Sequence, residues 1–295
     1  MRVLLSGSSG FIGSEVFSYF HQLGAEVVCL KRGDPSRSSS HTIFWEPNHK
    51  QFHLPSFEGF DAVIHLAGEP IVGRWSEAKR ARILESRIVS TNLLAEIFSR
   101  VDQPPAVFLS ASAVGYYGDR GEEWLTEKSS PGEGFLASVC IAWEGSAKVL
   151  EHRGVRVVHT RFGAVIGKEG GILKKMILPF KLGLGCTLGS GKQWMSWIAL
   201  KDLVRAIAFC IETASIEGPV NCVSPNPIRQ REFAKCLAAS LSRPLFFQIP
   251  AWFLRTILGQ MGDEVLLASQ RVSPEKLHKN HFSFQAPTLE EAISL

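Results

Sequence analysis

No run of about 18 apolar residues is available to cross a bilayer, and no block of like charge marks a tail for nucleic acid. Lys+Arg 32 against Asp+Glu 28 leave a formal charge of only +4. That excess is too small to argue for nucleic acid or an acidic membrane surface as a partner. The six cysteines, at 29, 140, 186, 210, 222 and 236, form no CxxC pair and have no close histidine. Zinc signatures are thereby excluded, no metal is expected, and buried thiols in a reducing compartment are favoured over disulfides. Strand-like sequence begins at Arg2, so no signal or transit peptide is expected and the cytoplasm is the expected setting. Internal repeats and low-complexity tracts are missing as well. With 45% hydrophobic and 20% charged residues, what remains is an ordinary globular composition with ample material for a core.

The most informative stretch is the first. Arg2-Val-Leu-Leu-Ser6 reads as a short buried strand, and Gly7, Gly10 and Gly13 follow at intervals of three. From Ser14 to Leu23 the apolar spacing of Val16, Phe17, Phe20 and Leu23 is that of an amphipathic helix. Gly24 then stands where a left-handed C-cap is expected, before a second strand at Glu26–Leu30. Such a strand–turn–helix unit suits a dinucleotide. The first glycine makes the tight turn, the second lets backbone approach a pyrophosphate, and the third lets helix pack on strand. The N–H groups of the helix N-terminus then face the phosphates, which nominates Gly7, Ser9, Gly10, Phe11, Ile12 and Gly13.

At the tip of the second strand an acid accepts the ribose 2′-hydroxyl of NAD, whereas an arginine accommodates the 2′-phosphate of NADP. This chain offers Lys31 and Arg32 and no acid there, with Arg32 19 residues past Gly13. The expected cofactor is therefore NADP(H), since a guanidinium grips phosphate bidentately. Further on, residues 41–60 show no clear period and are left irregular, while Asp61–Gly68 ends a buried strand in small residues and Glu77–Arg100 reads as a long helix. His65 is expected to be a satisfied core histidine. Phe135–Leu150 is helical by spacing, and Gly170–Phe180 reads as another helix. Glycines 183, 185, 189 and 191 rule out a helix interior. Residues 182–194 are read as a mobile loop over a cleft, with Lys192, Gln193, Trp194 and Trp197 as candidate substrate contacts, or else as a plain surface loop. Asp202 is expected to cap the helix that follows it.

The motif Gly7-x-x-Gly10-Phe-Ile-Gly13 resembles that of the extended short-chain dehydrogenase/reductases, the family of sugar-nucleotide epimerases and dehydratases. The resemblance extends over essentially the whole chain and is nearest to an atypical branch, the "epimerase family proteins" with a distinct C-terminal segment. It implies backbone contacts to the adenosine from Leu66, Ala67 and Gly68. It also sets Arg87 where the family usually has asparagine, as a contact to cofactor phosphate or carboxamide, or as an ordinary helix arginine. Ser112, with Ser110 as the alternative, matches the family's catalytic Ser/Thr, and the turn Val114-Gly-Tyr-Tyr-Gly118 follows it. The family's Tyr-x-x-x-Lys pair is absent. Aligned on Glu144 its positions are Leu136 and Cys140, and none of the three tyrosines, 19, 116 and 117, precedes a lysine by four residues. Tyr116 or Tyr117, or a bound water, is left as the substitute proton donor.

The expected architecture is α/β: a Rossmann-like, doubly wound parallel sheet over residues 1–165, with a smaller, helix-rich substrate lobe over 166–295. A strand near 219–223 is expected to return to the sheet, and a C-terminal segment begins near 245. Its apolar residues Trp252, Phe253, Leu254, Ile257, Leu258, Leu266 and Leu267 are too many to be left solvated. The expected function is an NADP(H)-dependent oxidoreductase or epimerase-like enzyme acting on a small molecule of unknown identity, or a non-catalytic NADP(H)-binding sensor. A homodimer is left open.

Overall fold

The computed structural model describes residues 1–294. Seven strands make one sheet: β1 (Arg2–Ser6), β2 (Glu26–Arg32), β3 (Thr42–Trp45), β4 (Ala62–His65), β5 (Val107–Ala113), β6 (Arg156–Phe162) and β7 (Gly218–Cys222). Every pairing is parallel, in the order β7-β6-β5-β4-β1-β2-β3. The order reverses between β1 and β4, and at such a switch point a crevice opens beyond the carboxyl ends of the strands. The helices are α1 (Phe11–Gln22), α2 (Glu77–Arg100), α3 (Phe135–Gly145), α4 (Gly171–Lys181), α5 (Leu200–Glu212), α6 (Gln230–Ser240), α7 (Ala251–Leu258), α8 (Glu275–Lys279) and α9 (Leu289–Ser294).

The strands are apolar on both sides because both faces are covered. On one face Val3, Leu5 and Ile64 pack with Val16 and Phe20 of α1 and Leu203 and Ile207 of α5. On the other, Leu4, Val63 and Phe108 pack with Leu94, Ile97 and Phe98 of α2. A third core gathers α4, α6 and α9 around the fully buried Trp197 and Phe233. This α/β, doubly wound arrangement is the expected one, and Gly218–Cys222 joins the sheet beside β6.

Four local expectations are corrected. Residues 41–60 are not wholly irregular, for Thr42–Trp45 pairs with β2 and sends Ile43 and Trp45 into the core. The helix from Phe135 stops at Gly145 and gives way to a 3₁₀ segment at Lys148–Arg153. The glycine-dense stretch is tied down by pairing, Cys186–Leu188 with Phe247–Ile249, Trp194–Met195 with Ile228–Arg229, and Trp197–Ala199 with Ala164–Ile166. Asp202 lies inside the first turn of α5, where Ala199 is the cap residue. Its fully buried carboxylate instead accepts the backbone N–H groups of Gln285 (2.8 Å) and Ala286 (2.9 Å) and pairs with Arg205 (2.9 Å).

The C-terminal segment departs from expectation in the same way. Leu254 is buried, but Trp252 (66%), Phe253 (42%) and Ile257 (53%) remain exposed. The segment is held by its polar anchors and by Ala286, Leu289 and Ala292 in the third core. Among the described residues no helix is long and apolar enough to cross a membrane, and no cluster of three potential ligands stands ready for a metal.

Candidate functional site

The β1–α1 turn forms a cradle of main chain. Gly7 is left-handed (φ +75°), and a Cβ there would sit 3.0 Å from the backbone of Leu66 and Ala67. A Cβ on Gly13 would lie 2.0 Å from the Gly7 carbonyl oxygen, so only glycine permits this helix-to-strand approach. Gly10 caps α1 without a side chain, and the first turn carries no acid. The N–H groups of Phe11, Ile12 and Gly13 are thus left with the positive end of the helix dipole facing outward, ready for an anion. The Phe11 ring leaves the cradle and enters a slot of glycines, where a Cβ on Gly167, Gly170 or Gly171 would come within 2.9, 2.1 and 2.9 Å of it. A cavity of about 580 Å³ adjoins the cradle, lined in part by Ser9, Gly10, Phe11, Lys168, Lys174 and Lys201.

Beside the cradle, buried hydrogen bonds fix the end of β4. Ser6 Oγ lies 2.6 Å from His65 Nδ1, and Nε2 lies 3.1 Å from Ser90 Oγ. Ser90 gives its proton to the Ser86 carbonyl (2.6 Å), so His65 Nε2 donates to Ser90 and Nδ1 accepts from Ser6. Ser6 Oγ in turn accepts the N–H groups of Leu66 (3.2 Å) and Ala67 (3.3 Å). Burial, with Arg87 nearby, pulls the His65 pKa down to about 3, and the ring is neutral. His65 is a core histidine that sets the loop. Arg87 is no free surface arginine: it donates to the Glu69 and Ile83 carbonyls (3.0 and 2.9 Å), lies over Trp143, and leaves 3.2 Å for a Cβ on Gly68. Lys31 and Arg32 are exposed at the carboxyl end of β2, on the same edge as the cradle.

Ser112, at the end of β5, gives its proton to Glu144 Oε1 (2.7 Å). Glu144 also accepts Nε and Nη2 of Arg161, both at 2.8 Å, in a fork that is almost wholly buried. Arg161 Nη1 donates to the Tyr117 hydroxyl (2.9 Å), whose own proton faces Asn221 Oδ1 (2.7 Å) and the Thr126 carbonyl (3.0 Å). Tyr117 is therefore corrected as a candidate donor to substrate: it is fully buried, and burial pushes its pKa to about 12. Ser110 is equally enclosed. Tyr116 is only half-buried, its ring 3.5 Å from the Arg161 guanidinium carbon. Leu136 packs over Gly115, and Cys140 is buried with its thiol toward the Ala113 carbonyl. Burial raises that thiol to about 11, which leaves it protonated and inert at neutral pH.

Of the proposed substrate contacts, Trp197 is corrected too, being fully buried with its indole N–H on the Asn226 carbonyl (2.9 Å). Gln193 is spent on the Leu188 and Leu266 carbonyls. Lys192 is exposed, and Trp194 is half-buried near the strand at Arg271–Val272.

Residues 3–222 match the model of the NAD dependent epimerase/dehydratase family, and residues 249–294 match a domain of unknown function, DUF1731. The chain belongs to the NAD dependent epimerase/dehydratase family. An "epimerase family protein" of Mycobacterium bovis is 37% identical over 292 residues, covering 99% of this chain and 96% of its own. The Bacillus subtilis epimerase family protein YfhF is 34% identical, covering 100% and 97%. The human epimerase family protein SDR39U1, solved with NADPH, superposes with a TM-score of 0.90 at 32% identity, covering 99% and 98%. A UDP-glucose 4-epimerase of Thermotoga maritima, at 19% identity and TM-score 0.76, shares the fold.

Within this epimerase/dehydratase framework two groups carry more than the sequence suggested. Glu144 served only to align the helix, and its pairing with Arg161 spans 17 residues and joins α3 to β6. Glu264 gave no signal at all. Its carboxylate accepts the N–H groups of Phe135 (2.9 Å) and Leu136 (2.7 Å), capping α3 where Gly134 has no side chain to do so.

Proposed function

We propose that this protein binds NADP(H) in the β1–α1 cradle and is an oxidoreductase or epimerase-like enzyme for a small molecule held in the crevice beneath the second lobe. The observation that carries the cofactor assignment is the glycine cradle, closed to any Cβ at Gly13, with open N–H groups on α1 and with Lys31 and Arg32 in place of an acid at the tip of β2. The SDR39U1 structure with NADPH supports the same choice. The residues fit the group: Phe11, Ile12 and Gly13 N–H would hold the pyrophosphate, Leu66 to Gly68 the adenosine, and Arg32 the 2′-phosphate. When bound, the nicotinamide supplies or accepts a hydride.

The protein's own part in the chemistry is to orient substrate and move a proton. Ser112 has committed its proton to Glu144, so it can accept from a substrate hydroxyl but not donate. Tyr116 takes the Gly132 N–H on its backbone carbonyl (2.9 Å), but its half-buried side chain makes no hydrogen bond among the described residues, which leaves its phenol as the donor that remains. The same commitment of Ser112 and Tyr117 favours the second reading, a non-catalytic NADP(H) sensor.

Titrating NADPH fluorescence against Arg32→Ala tests the cofactor assignment. A charge-assisted bond contributes about 1.5–3 kcal/mol, so NADPH binding should weaken about tenfold or more while NADH binding stays nearly constant. Equal losses for both would place Arg32 elsewhere. Turnover of any carbonyl or sugar substrate by protein that binds NADPH then separates enzyme from sensor.

A further inference from the structure

Acidic residues are spread unevenly along the chain. Residues 170–201 and 233–262, stretches of 32 and 30 residues, contain neither Asp nor Glu, although 28 acids in 295 residues would put about six there. The same stretches hold eight lysines and arginines. A net charge of +4 for the whole chain conceals this asymmetry. The fold brings the two stretches together in the second lobe. Lys181, at the end of α4, offers its carbonyl to Arg243 Nε (2.9 Å), the strand Cys186–Leu188 pairs with Phe247–Ile249, and the Gly189 N–H bonds the Ile249 carbonyl (2.9 Å) just before α7.

These segments also carry the five most exposed large apolar side chains among the described residues: Phe246 (81%), Leu182 (67%), Trp252 (66%), Leu178 (65%) and Leu184 (58%). With Phe247, Phe253 and Ile257 they expose on the order of 1,000 Å², more than the roughly 300–600 Å² of the largest apolar patch on an ordinary monomer. Cations stand among them. Lys175 and Lys181 lie three residues before and after Leu178 on α4, and all three are exposed, so they share one flank of the helix. Arg255 is answered by Asp263 (2.7 Å), whereas Lys175, Lys181 and Arg243 have no carboxylate partner among the described residues.

Projecting rings beside unpaired cations suit one kind of partner. Phenylalanine, leucine and tryptophan side chains enter the boundary between headgroups and acyl chains, while lysine and arginine stay level with the phosphates. A second copy is a poorer occupant, because two-fold pairing would set a cationic face against itself. A ring as exposed as that of Phe246 stands out from the surface and walls no groove for an acidic protein to fill. We propose that this protein seats on the surface of an anionic lipid bilayer through the end of α4, the strand Phe247–Ile249 and α7. The contact is peripheral, and it draws on no residue of the β1–α1 cradle.

The test floats the full chain on a density gradient with vesicles of phosphatidylcholine, alone or mixed with phosphatidylglycerol. Binding is expected only to the anionic vesicles, and it should weaken as salt rises. Lys175→Gln with Lys181→Gln removes two cations, each worth about fivefold near such a surface, and should weaken binding at least tenfold. Phe246→Ser with Trp252→Ser should do the same at unchanged charge. All four positions are exposed, and an unchanged melting temperature shows that the variants are folded. Brominated lipid should quench a part of the tryptophan fluorescence that Trp252→Phe lacks. Wild-type protein that binds neither vesicle, or double variants that float as wild type does, overturns the proposal. Sedimentation velocity then names the occupant: a dimer dispersed by Phe246→Ser with Trp252→Ser, in protein that ignores vesicles, gives the face to a second copy, and a monomer that ignores them leaves it to an acidic protein.

Discussion

Glu144→Gln keeps the shape of the side chain and removes its charge. The Arg161 side chain is only 3% exposed and that of Glu144 13%. Burial alone would pull the Arg161 guanidinium down, but its bonds to Glu144 and Tyr117 outweigh that and hold it above the usual arginine range. Even without Glu144 a guanidinium is not deprotonated in a protein, so Arg161 stays charged in the variant and loses its counter-ion. Removing one partner of a buried pair costs about 3–5 kcal/mol, because the other charge is left uncompensated. At about 2–4 °C per kcal/mol for a large domain, the melting temperature should fall by about 6–20 °C. Ser112→Ala removes a single charge-assisted bond, costs about 1.5–3 kcal/mol, and should melt nearer to wild type. Scanning calorimetry on the two variants and their double mutant is the assay. The double mutant should fall short of the sum, because the two side chains share one network. A loss under about 3 °C for Glu144→Gln would show that the fork at Arg161 is not what holds β6 to α3.

Tyr116→Phe should reduce turnover of the first active substrate by about 10² or more, the range of a general acid, with NADPH affinity unchanged; equal rates would remove Tyr116 from the mechanism. Glu264→Ala strips the cap from α3 and should cost about 1–2 kcal/mol, seen as a lower melting temperature, with none of it if water replaces the carboxylate. Two buried histidines set the acid side of stability. His65 is held down to about 3 and His159 to about 4, in both cases chiefly by burial. Each is neutral when folded but takes up a proton when unfolded below about 6.5, so stability is complete above that pH. It should drop by about 1.4 kcal/mol per unit for each ring as pH falls from 6.5 toward those values. His159→Phe should remove about half of the histidine part of the slope measured by denaturant melts between pH 6 and 5, and an unchanged slope would refute the assignment.

What could be read from sequence was what is local. The cradle, the left-handed Gly24 and the basic tip of β2 are encoded within some thirty residues, and the missing tyrosine–lysine pair is a matter of counting. β3 escaped because four residues beside Pro47 give too little period, and it takes β2 to pair them. Trp197 and Tyr117 were misplaced for a different reason. A large aromatic near glycines looks the same whether it lines a cleft or fills a core, and only the third core and Asn221 decide it. The role of Ser112 depends on Glu144, 32 residues away, and that of Asp202 on the main chain at 285 and 286. No motif spans such distances.

Phe11 belongs to the cofactor loop by position, yet its ring is housed by Gly167, Gly170 and Gly171 of the other half of the chain. Phe11 and three glycines more than 150 residues further along the chain are in this way one lock, with a single key shape. No side chain can be added to the wall while the key is large, and a small residue at 11 would leave the wall free to drift. In lineages that kept this fold, the aromatic at 11 and the three glycines should be gained and lost together, whatever reaction each lineage came to perform.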